Sequence, residues 1–543
     1  MNETVWKVKD KNPVKNGNDW LTKILAKNRG LSAPQKLHDF LNPNLEQILA
    51  VKVSQLDKGV KRVMDAIKNK EKIIVYSDYD ADGICATAVL WETLYDLGAN
   101  VMPYVPHRIK EGYGLSKDAI SNLAKDGVTL IITVDHGVTA VEQVEHAKSL
   151  GVDVIITDHH TFPSKLPDSY ALVHSLELCG TGVSWRFAWA IIQELKPDYK
   201  EKLLEKLELA ALATIADLVP LSGGSRAIVK IGLEKMAKTK RPGIKALIRV
   251  SHINGQIGTY EIGHILAPRI NAMGRIEHGL DSLRLVCARN QAEADRLAQL
   301  LTKTNSKRQD LTTHAIDSAI KMINENHVVG VIASSQWHEG VIGLVASRLV
   351  EAHKKPMIVI SIGENFSKGS ARSIPGFNIV EAIRASSEFL MDAGGHPMAA
   401  GFTIETKHIE AFAEKINSHS RSLITEELLT PVIEIECELG PKDISKKALD
   451  QIKIFEPYGI ANPQPVFLTK NMVVEDIRTV GAANDHLKLQ VSDHSAIGFN
   501  MGKLSSDIRP GYLIDLVYTI EEDKYAGDGG IQLKLKDLRV KES

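Results

Sequence analysis

Cysteine is scarce in this 543-residue chain. Its four, Cys85, Cys179, Cys287 and Cys437, are widely scattered and form no CxxC pair. That excludes a disulfide scaffold and a cysteine zinc site, and it suits a reducing cytoplasm. Aromatic residues are only 5% of the total, which limits base stacking to a few positions. An excess of one charge is also missing: 66 Lys and Arg against 67 Asp and Glu leave a net charge of −1. Nothing global announces nucleic acid, so any DNA-binding surface must be a local groove. No apolar run approaches membrane-spanning length. Met1 to Asp19 is polar and charged, so no signal peptide is expected. No internal repeat or low-complexity tract interrupts the chain. What remains, 44% apolar and 24% charged residues, is the composition of a soluble globular protein of two to four domains.

The most informative stretch is Ile73-Ile74-Val75-Tyr76-Ser77-Asp78-Tyr79-Asp80-Ala81-Asp82-Gly83. Ile73 to Tyr76 reads as a buried strand, and Asp and Gly end it near Ser77. Ile84 to Leu97 reads as a helix with Gly98 as its stop. Three carboxylates thus sit on a strand-to-helix turn, where open α/β sheets bind ligands. They are either a cation site or a solvated acidic turn capping the next helix. The pattern recurs. Leu130 to Val134 ends in Asp135-His136-Gly137, and Val152 to Thr157 ends in Asp158-His159-His160, with a helix over Val138 to Leu150 between them. Alternating strands and helices predict a parallel sheet with all three turns on one edge. A further acid, Asp217, interrupts the apolar run Leu212 to Val219 and requires a partner.

Residues 1–70 form an N-terminal lead-in, extended and partly helical, with a helix over Gly59 to Lys70. Residues 71–285 form the α/β unit. Its loop Pro106 to Gly114 carries Arg108 and Lys110, apt for phosphate or simply basic surface, and Pro268 to Arg275 offers Arg269, Asn271 and Arg275. Residues 286–325 are read as a connecting helix, since Gln291 to Asn324 lacks Gly and Pro. Such a helix spans roughly 50 Å, and its polar stretch Lys303 to Asp310 faces either a groove or solvent. Residues 326–425 form a second α/β unit, with strands Val328 to Ala333 and Pro356 to Ser361 and helices Gly340 to Glu351 and Asn378 to Met391. Two loops stand out in it. One is Gly369-Ser370-Ala371-Arg372-Ser373, suited to phosphate. The other, Gly394 to Gly401, is a glycine-rich loop leading to a strand, either a binding loop or simply a tight turn; it lacks the Lys-Ser/Thr ending of a P-loop. Residues 426–543 change to period two, with strands Val432 to Glu436, His486 to Val491, Tyr512 to Ile520 and Ile531 to Lys536 and one helix, Lys442 to Ile452. That predicts a small, partly open barrel of OB type. Lys488, Lys534 and Lys536 share one face of it, and its aromatics are few: Phe467, Phe499, Tyr512, Tyr518 and Tyr525.

The ordered set resembles the DHH phosphoesterase superfamily, and within it the RecJ-type bacterial single-strand DNA exonucleases. It comprises the acidic turn, Asp135-His136-Gly137, Asp158-His159-His160 and Ile215-Ala216-Asp217. His107-Arg108, Glu111-Gly112-Tyr113-Gly114, Pro268 to Arg275, Trp337 to Gly343, Gly369 to Ser373, Gly394 to His396 and Tyr458 to Pro463 extend it over residues 30–540. The chain departs from the pattern at His136, where the family often has Cys or Asn, and at Ala461, where Gly or a polar residue is more usual.

The resemblance implies an α/β fold: a DHH parallel-sheet domain, a long connecting helix, a DHH-associated domain and an OB-like barrel. It implies two Mn²⁺ or Mg²⁺ ions on Asp78, Asp80, Asp82, Asp135, His159 and Asp217, with Asp80, Asp82, His159 and His160 catalytic. Arg108, Arg269, Asn271, Arg275, Ser370, Arg372 and His396 are the DNA- or phosphate-binding candidates. The implied activity is stepwise 5′→3′ hydrolysis of single-stranded DNA to mononucleotides in repair and recombination. Single-stranded DNA is the implied partner, with a single-stranded-DNA-binding protein and a RecQ-type helicase as protein partners. A cytoplasmic monomer without membrane contact is expected. Two other readings remain: a phosphodiesterase for very short RNA or cyclic dinucleotides, usually shorter and without the tail, and a metal-free scaffold, which would have lost ligand carboxylates.

Overall fold

The computed structural model describes residues 4–112, 114–523 and 530–541. Tyr113 and Tyr525 lie outside the described residues. A first strand, β1 (Val5–Asp10), is followed by helices and then by a five-stranded sheet. The sheet consists of β2 (Lys72–Ser77), β3 (Val101–Tyr104), β4 (Val128–Val134), β5 (Asp153–Asp158) and β6 (Ala171–His174), all parallel, in the order β3-β2-β4-β5-β6. Its strands are apolar on both faces because both are covered. Ile73, Val75, Leu130, Ile132 and Ile155 pack into one core with the helices Ala81–Asp96 and Gly180–Leu195. The alternate residues Ile74, Tyr76, Ile131, Val154 and Ile156 form a second core on the other face. The chain leaves β2 for β3 on one side and returns to β4 on the other, which opens a crevice at the carboxyl ends of β2 and β4.

The long helix runs over Gln291–Ile320, four residues shorter than expected. Its 30 residues span about 45 Å. Ala294, Leu297, Ala298 and Leu301 belong to the core of the first unit, Ala315 and Ala319 to that of the second, so one rigid element joins both.

The second sheet contains β7 (Gly330–Ser334), β8 (Met357–Ser361), β9 (Phe366–Arg372), β10 (Leu390–His396) and β11 (Ala399–Glu405), in the order β10-β11-β9-β8-β7. Only β7 and β8 are parallel. Three expectations are corrected here. Gly369 to Arg372 is not a loop but the end of β9, hydrogen-bonded on both sides. Its glycine lies under the Phe402 ring, where a Cβ would come within 2.1 Å of a ring carbon. Gly394-Gly395-His396 is likewise strand, paired with Gly401, Ala400 and Ala399 across a hairpin. The helix expected over Asn378 to Met391 covers only Ile379–Arg384, because Leu390 is already paired with Ile404. The preceding helix is Ile342–His353.

The third sheet holds β12 (Val432–Glu438), β13 (Phe467–Val480), β14 (His486–Val491), β15 (His494–Gly498), β16 (Leu513–Glu522) and β17 (Ile531–Val540). A pairing of β13 with β16 closes β13-β14-β15-β17-β16 into a five-stranded ring, more closed than expected. The helix expected from Lys442 begins at Lys446, after a short 3₁₀ turn over Pro441–Asp443. The first part of the lead-in belongs to this unit, whereas Ile48, Val60 and Val63 pack into the core of the first sheet. β1 pairs in parallel with β12, and Leu21, Ile24, Leu25 and Ala26 are buried with Leu449, Phe455 and Phe467. Arg226 ties the pieces together: buried, it stacks on Phe40 and donates to the carbonyls of Phe40, Phe455, Glu456 and Pro457 at 2.8–3.0 Å. Ala461 sits at φ +62°, a backbone region that favours glycine, which accounts for the family's preference there. No described helix is long and apolar enough to cross a membrane.

Candidate metal centre

The acidic turns meet at the crevice between β2 and β4. Asp80 caps the helix Ala81–Asp96, its Oδ1 accepting from the Asp82 and Gly83 N–H groups at 2.9 and 3.1 Å. Only glycine fits at 83, since a Cβ there would lie 2.6 Å from Asp78 Cβ. The Asp82 carboxylate is held from the opposite side, accepting from Gly180 N and Thr181 N at 2.7 Å each. Those are the first amides of the helix Gly180–Leu195, so its positive end is aimed at Asp82. Asp135 leaves β4 with φ +67° and donates its N–H to Thr157 O at 2.9 Å. Gly180 makes room for it: a Cβ there would lie 2.5 Å from Asp135 Oδ1.

His159 closes the cluster. Its Nε2 is 3.1 Å from Asp135 Oδ1, 3.5 Å from Asp217 Oδ2 and 3.8 Å from Asp82 Oδ2. Asp217 arrives from the end of the helix Leu207–Ala216. Three overlapping groups keep their ligand atoms within 4.8 Å: Asp78, Asp80 and Asp135; Asp82, His159 and Asp217; Asp135, His159 and His160. All six residues expected to bind metal, and His160, therefore converge.

The electrostatics are those of carboxylates held together against their repulsion. Burial, followed by the neighbouring acids, pushes the pKa values of Asp78, Asp80 and Asp135 above the usual carboxylate range, and that of Asp217 up to about 8. Asp135 Oδ1 and His159 Nε2 are buried, and neither makes a hydrogen bond. Buried donors and acceptors are nearly always satisfied, and a divalent cation would satisfy both. An oxygen-rich set with one imidazole fits Mn²⁺ or Mg²⁺.

His160 differs from His159. Its Nδ1 lies 2.7 Å from Asp158 Oδ1. Burial opposes its charge, but the hydrogen bond and charge of Asp158 prevail and push its pKa up to about 9. Asp158, buried and bonded also to the N–H groups of Val138, His159 and His160, is held well below the usual carboxylate range. His136 is not part of the cluster: it packs edge-on against Tyr76, its Nε2 3.1 Å from Tyr76 O, and burial lowers its pKa to about 4.

Opposite the acids stands a group of arginines. Arg275 donates to Gly340 O of the second unit at 3.4 Å, and Asp80, Arg108, Arg372 and Arg308 all act on its charge. Burial, then these neighbouring arginines, lowers its pKa to about 10. Burial also lowers those of Arg372, Arg269 and Arg308. Among the described residues, no carboxylate lies within 4.0 Å of Arg108, Arg269, Arg275, Arg308 or Arg372. Half-buried guanidinium groups without a counter-ion suit phosphate. Arg108 lies over the Tyr79 ring at 4.9 Å. Arg372 donates to Ser370 Oγ at 3.2 Å, both on one face of β9 and against Gly343 at the start of the helix Ile342–His353. His396 stacks on His160 across the two units, with centroids 6.3 Å apart and rings 12° from parallel. Asn271 is placed differently from the arginines: its Oδ1 accepts from Ala81 N at 2.7 Å, beneath the acidic turn. Arg269 turns one guanidinium nitrogen back to Ile265 O, at 2.6 Å.

Sequence reasoning did not assign Asp158, the Gly180 and Thr181 amides, or Arg308. Asp158 adjoins two flagged histidines and could have been found. The amides carry no side-chain signal, and Arg308 was hidden within a polar stretch.

Residues 72–216 match the DHH family N-terminal domain, 324–421 the DHHA1 domain and 435–537 the RecJ OB domain. The chain is 39% identical to the single-stranded-DNA-specific exonuclease RecJ of Bacillus subtilis over 89% of its own length, and spans 64% of that relative's length. It is 30% identical to RecJ of Salmonella typhimurium, over 90% of each chain. The crystal structure of RecJ in complex with Mn²⁺ from Thermus thermophilus superposes with a TM-score of 0.86 at 27% identity, over 99% of this chain and 80% of that one. Its counterpart in complex with Mg²⁺ gives 0.81 at 26% identity, over 99% and 79%. With its site geometry, its three matched domains and its similarity to RecJ over nine tenths of both chains, this chain belongs to the RecJ family of the DHH superfamily.

Proposed function

We propose that this chain is a metal-dependent exonuclease that removes mononucleotides from the 5′ end of single-stranded DNA. The observation that carries this reading is the convergence of Asp78, Asp80, Asp82, Asp135, His159 and Asp217 opposite arginines that lack carboxylate partners. In this reading those six residues hold two divalent cations. When bound, such ions supply an activated water and neutralise charge on the phosphoryl oxygens. The chain's own groups do the rest. Arg108, Ser370 and Arg372 grip the terminal 5′ phosphate, and Arg275, Arg269 and His396 contact the strand between the units. His160, oriented by its hydrogen bond to Asp158, is placed to give a proton to the departing 3′ oxygen. The strand left behind carries a new 5′ phosphate, so the same grip serves the next cycle.

The barrel supports the strand. Its register sets Arg478 and Lys488 in one row with Ile497 and Lys534 across β13, β14, β15 and β17, while Lys536 sits at an irregularity of β17 between Leu535 and Asp537. Lys534 lies 5.5 Å over the ring of the exposed Phe499. A basic row with one aromatic suits sequence-tolerant backbone binding.

Arg372→Ala tests the reading. It should raise KM for 5′-phosphorylated strands about 10- to 100-fold, equivalent to about 1.5–3 kcal/mol for a lost charged hydrogen bond. Mn²⁺ binding should be unchanged. An unaltered KM would refute the assignment of the 5′ grip.

A further inference from the structure

The segment Ala267–Ile276 lies directly beneath the acidic turn, and two of its residues, Asn271 and Gly274, meet the backbone of that turn. Asn271 Oδ1 is 2.7 Å from Ala81 N. The atom facing Ala81 is necessarily the carboxamide oxygen, because an N–H can only donate. Ala81 is the first residue of the helix Ala81–Asp96, and its amide is among the four that no helix can satisfy internally. Asp80 caps the next two, at Asp82 and Gly83. Asn271 therefore completes, from about 190 residues away in sequence, the cap of the helix that carries Asp82. Three residues on, Gly274 approaches so closely that a Cβ there would lie 2.5 Å from Tyr79 O and 3.2 Å from Tyr79 Cβ. A Cβ on Gly279 would also meet Tyr79, at 3.3 Å. The turn from Asp78 to Asp82 is thus held at Tyr79 by contact and at Ala81 by a hydrogen bond.

We infer that Asn271 is a positioning residue for the metal centre, fixing the acidic turn through the Ala81 amide, and not a contact to DNA. The inference rests on the reading of the acidic cluster as a metal site. Its chemistry explains why the residue is an amide. The position needs an acceptor for a backbone N–H next to Asp78, Asp80 and Asp82. A carboxylate would accept equally well but add a further negative charge to a cluster already strained by repulsion. A carboxamide accepts without charge. Partners behind metal ligands fix ligand orientation, and their loss typically weakens metal binding 10- to 100-fold.

The experiment compares the full-length wild type with Asn271→Ala. Mn²⁺ affinity is measured by calorimetry without DNA, and binding of a 5′-phosphorylated oligo-dT by anisotropy in EDTA. The expected result is Mn²⁺ binding at least tenfold weaker, DNA affinity in EDTA unchanged, and cleavage that recovers toward the wild-type kcat as Mn²⁺ is raised. Wild-type Mn²⁺ affinity in a variant that has lost DNA binding overturns the inference, for Asn271 would then be a DNA contact. Should Asn271→Ala not fold, Asn271→Asp decides, because it keeps the acceptor and removes the amide donor. Its Mn²⁺ affinity should match or exceed that of the wild type, and Mn²⁺ binding weakened tenfold or more overturns the inference. Failure of the wild type itself to bind Mn²⁺ overturns the metal reading, and this inference with it.

Discussion

Four of the acids in the crevice are held above their ordinary pKa values, and that has a consequence for stability. Unfolded carboxyl groups lose their protons near pH 4. In the folded, metal-free chain burial and repulsion keep Asp78, Asp80, Asp135 and Asp217 protonated longer, Asp217 to about 8. Between roughly pH 4 and 8 the folded state therefore carries protons that the unfolded state has lost, and stability falls as pH rises through that window. The His160–Asp158 pair adds to the trend. Its contribution through His160, whose pKa is raised to about 9, is complete below about pH 6.5 and is lost as pH rises through the folded value. Cations replace the missing protons, so Mn²⁺ should raise the melting temperature more at pH 8 than at pH 5. At a hundredfold excess over Kd the stabilisation is about 2.7 kcal/mol. Equal Mn²⁺-induced shifts at both pH values in calorimetric scans would contradict this electrostatic description. At this scale the sequence was most legible where charge was dense. Asp78, Asp80, Asp82, Asp135 and His159 follow strands directly, and periodicity placed them on one edge. Asn271 was grouped with the arginines around it, because a sequence does not show which amide its oxygen meets.

At the scale of elements, the centre depends on a helix that contributes no ligand. The helix Gly180–Leu195 donates its first amides to Asp82, and Gly180 has no side chain because Asp135 occupies the space. Gly180→Ala should push the Asp135 carboxylate aside and cost about 1–3 kcal/mol of stability, as overpacking does. Activity should fall by more than tenfold. A folded Gly180→Ala protein with unchanged activity would show that the helix start does not fix the ligand geometry. Legibility differed between the two α/β units for a physical reason. In the first, β2, β4 and β5 are continuous apolar runs buried on both faces, so composition alone marks them, whereas the four-residue edge strands β3 and β6 were too short to stand out. In the second, β9 and β10 contain Gly369, Gly394 and Gly395, which local rules assign to loops. They are strands because β10 folds back on β11 in a hairpin and β9 is hydrogen-bonded between β8 and β11, pairings that the glycine-rich local sequence does not show.

At the scale of the molecule, the ends of the chain meet. β1 pairs with β12 across more than 400 residues, and Leu21, Ile24 and Leu25 fill the core beside the barrel. The six residues of β1 could be recognised as extended but not matched to a partner, so the lead-in and the tail read as separate pieces. Their union means that cutting the chain near residue 425 would strip the cover from Leu21 and Ile24 as well as remove the barrel. Arg226 and the long helix extend the same rigidity to the catalytic units. In the proposed reading, such a frame keeps the arginines at a fixed distance from the acids, and this distance sets polarity and step size. The most direct measurement digests a single-stranded oligonucleotide labelled at its 5′ or its 3′ end, with Mn²⁺ or with EDTA, using wild type and Asp80→Ala. The expected result is immediate release of a 5′-labelled mononucleotide by the wild type in Mn²⁺. The 3′ label should shorten one nucleotide at a time, and neither EDTA nor Asp80→Ala should permit cleavage. Release beginning at the 3′ label, or full activity in the folded Asp80→Ala protein, would contradict the central claim.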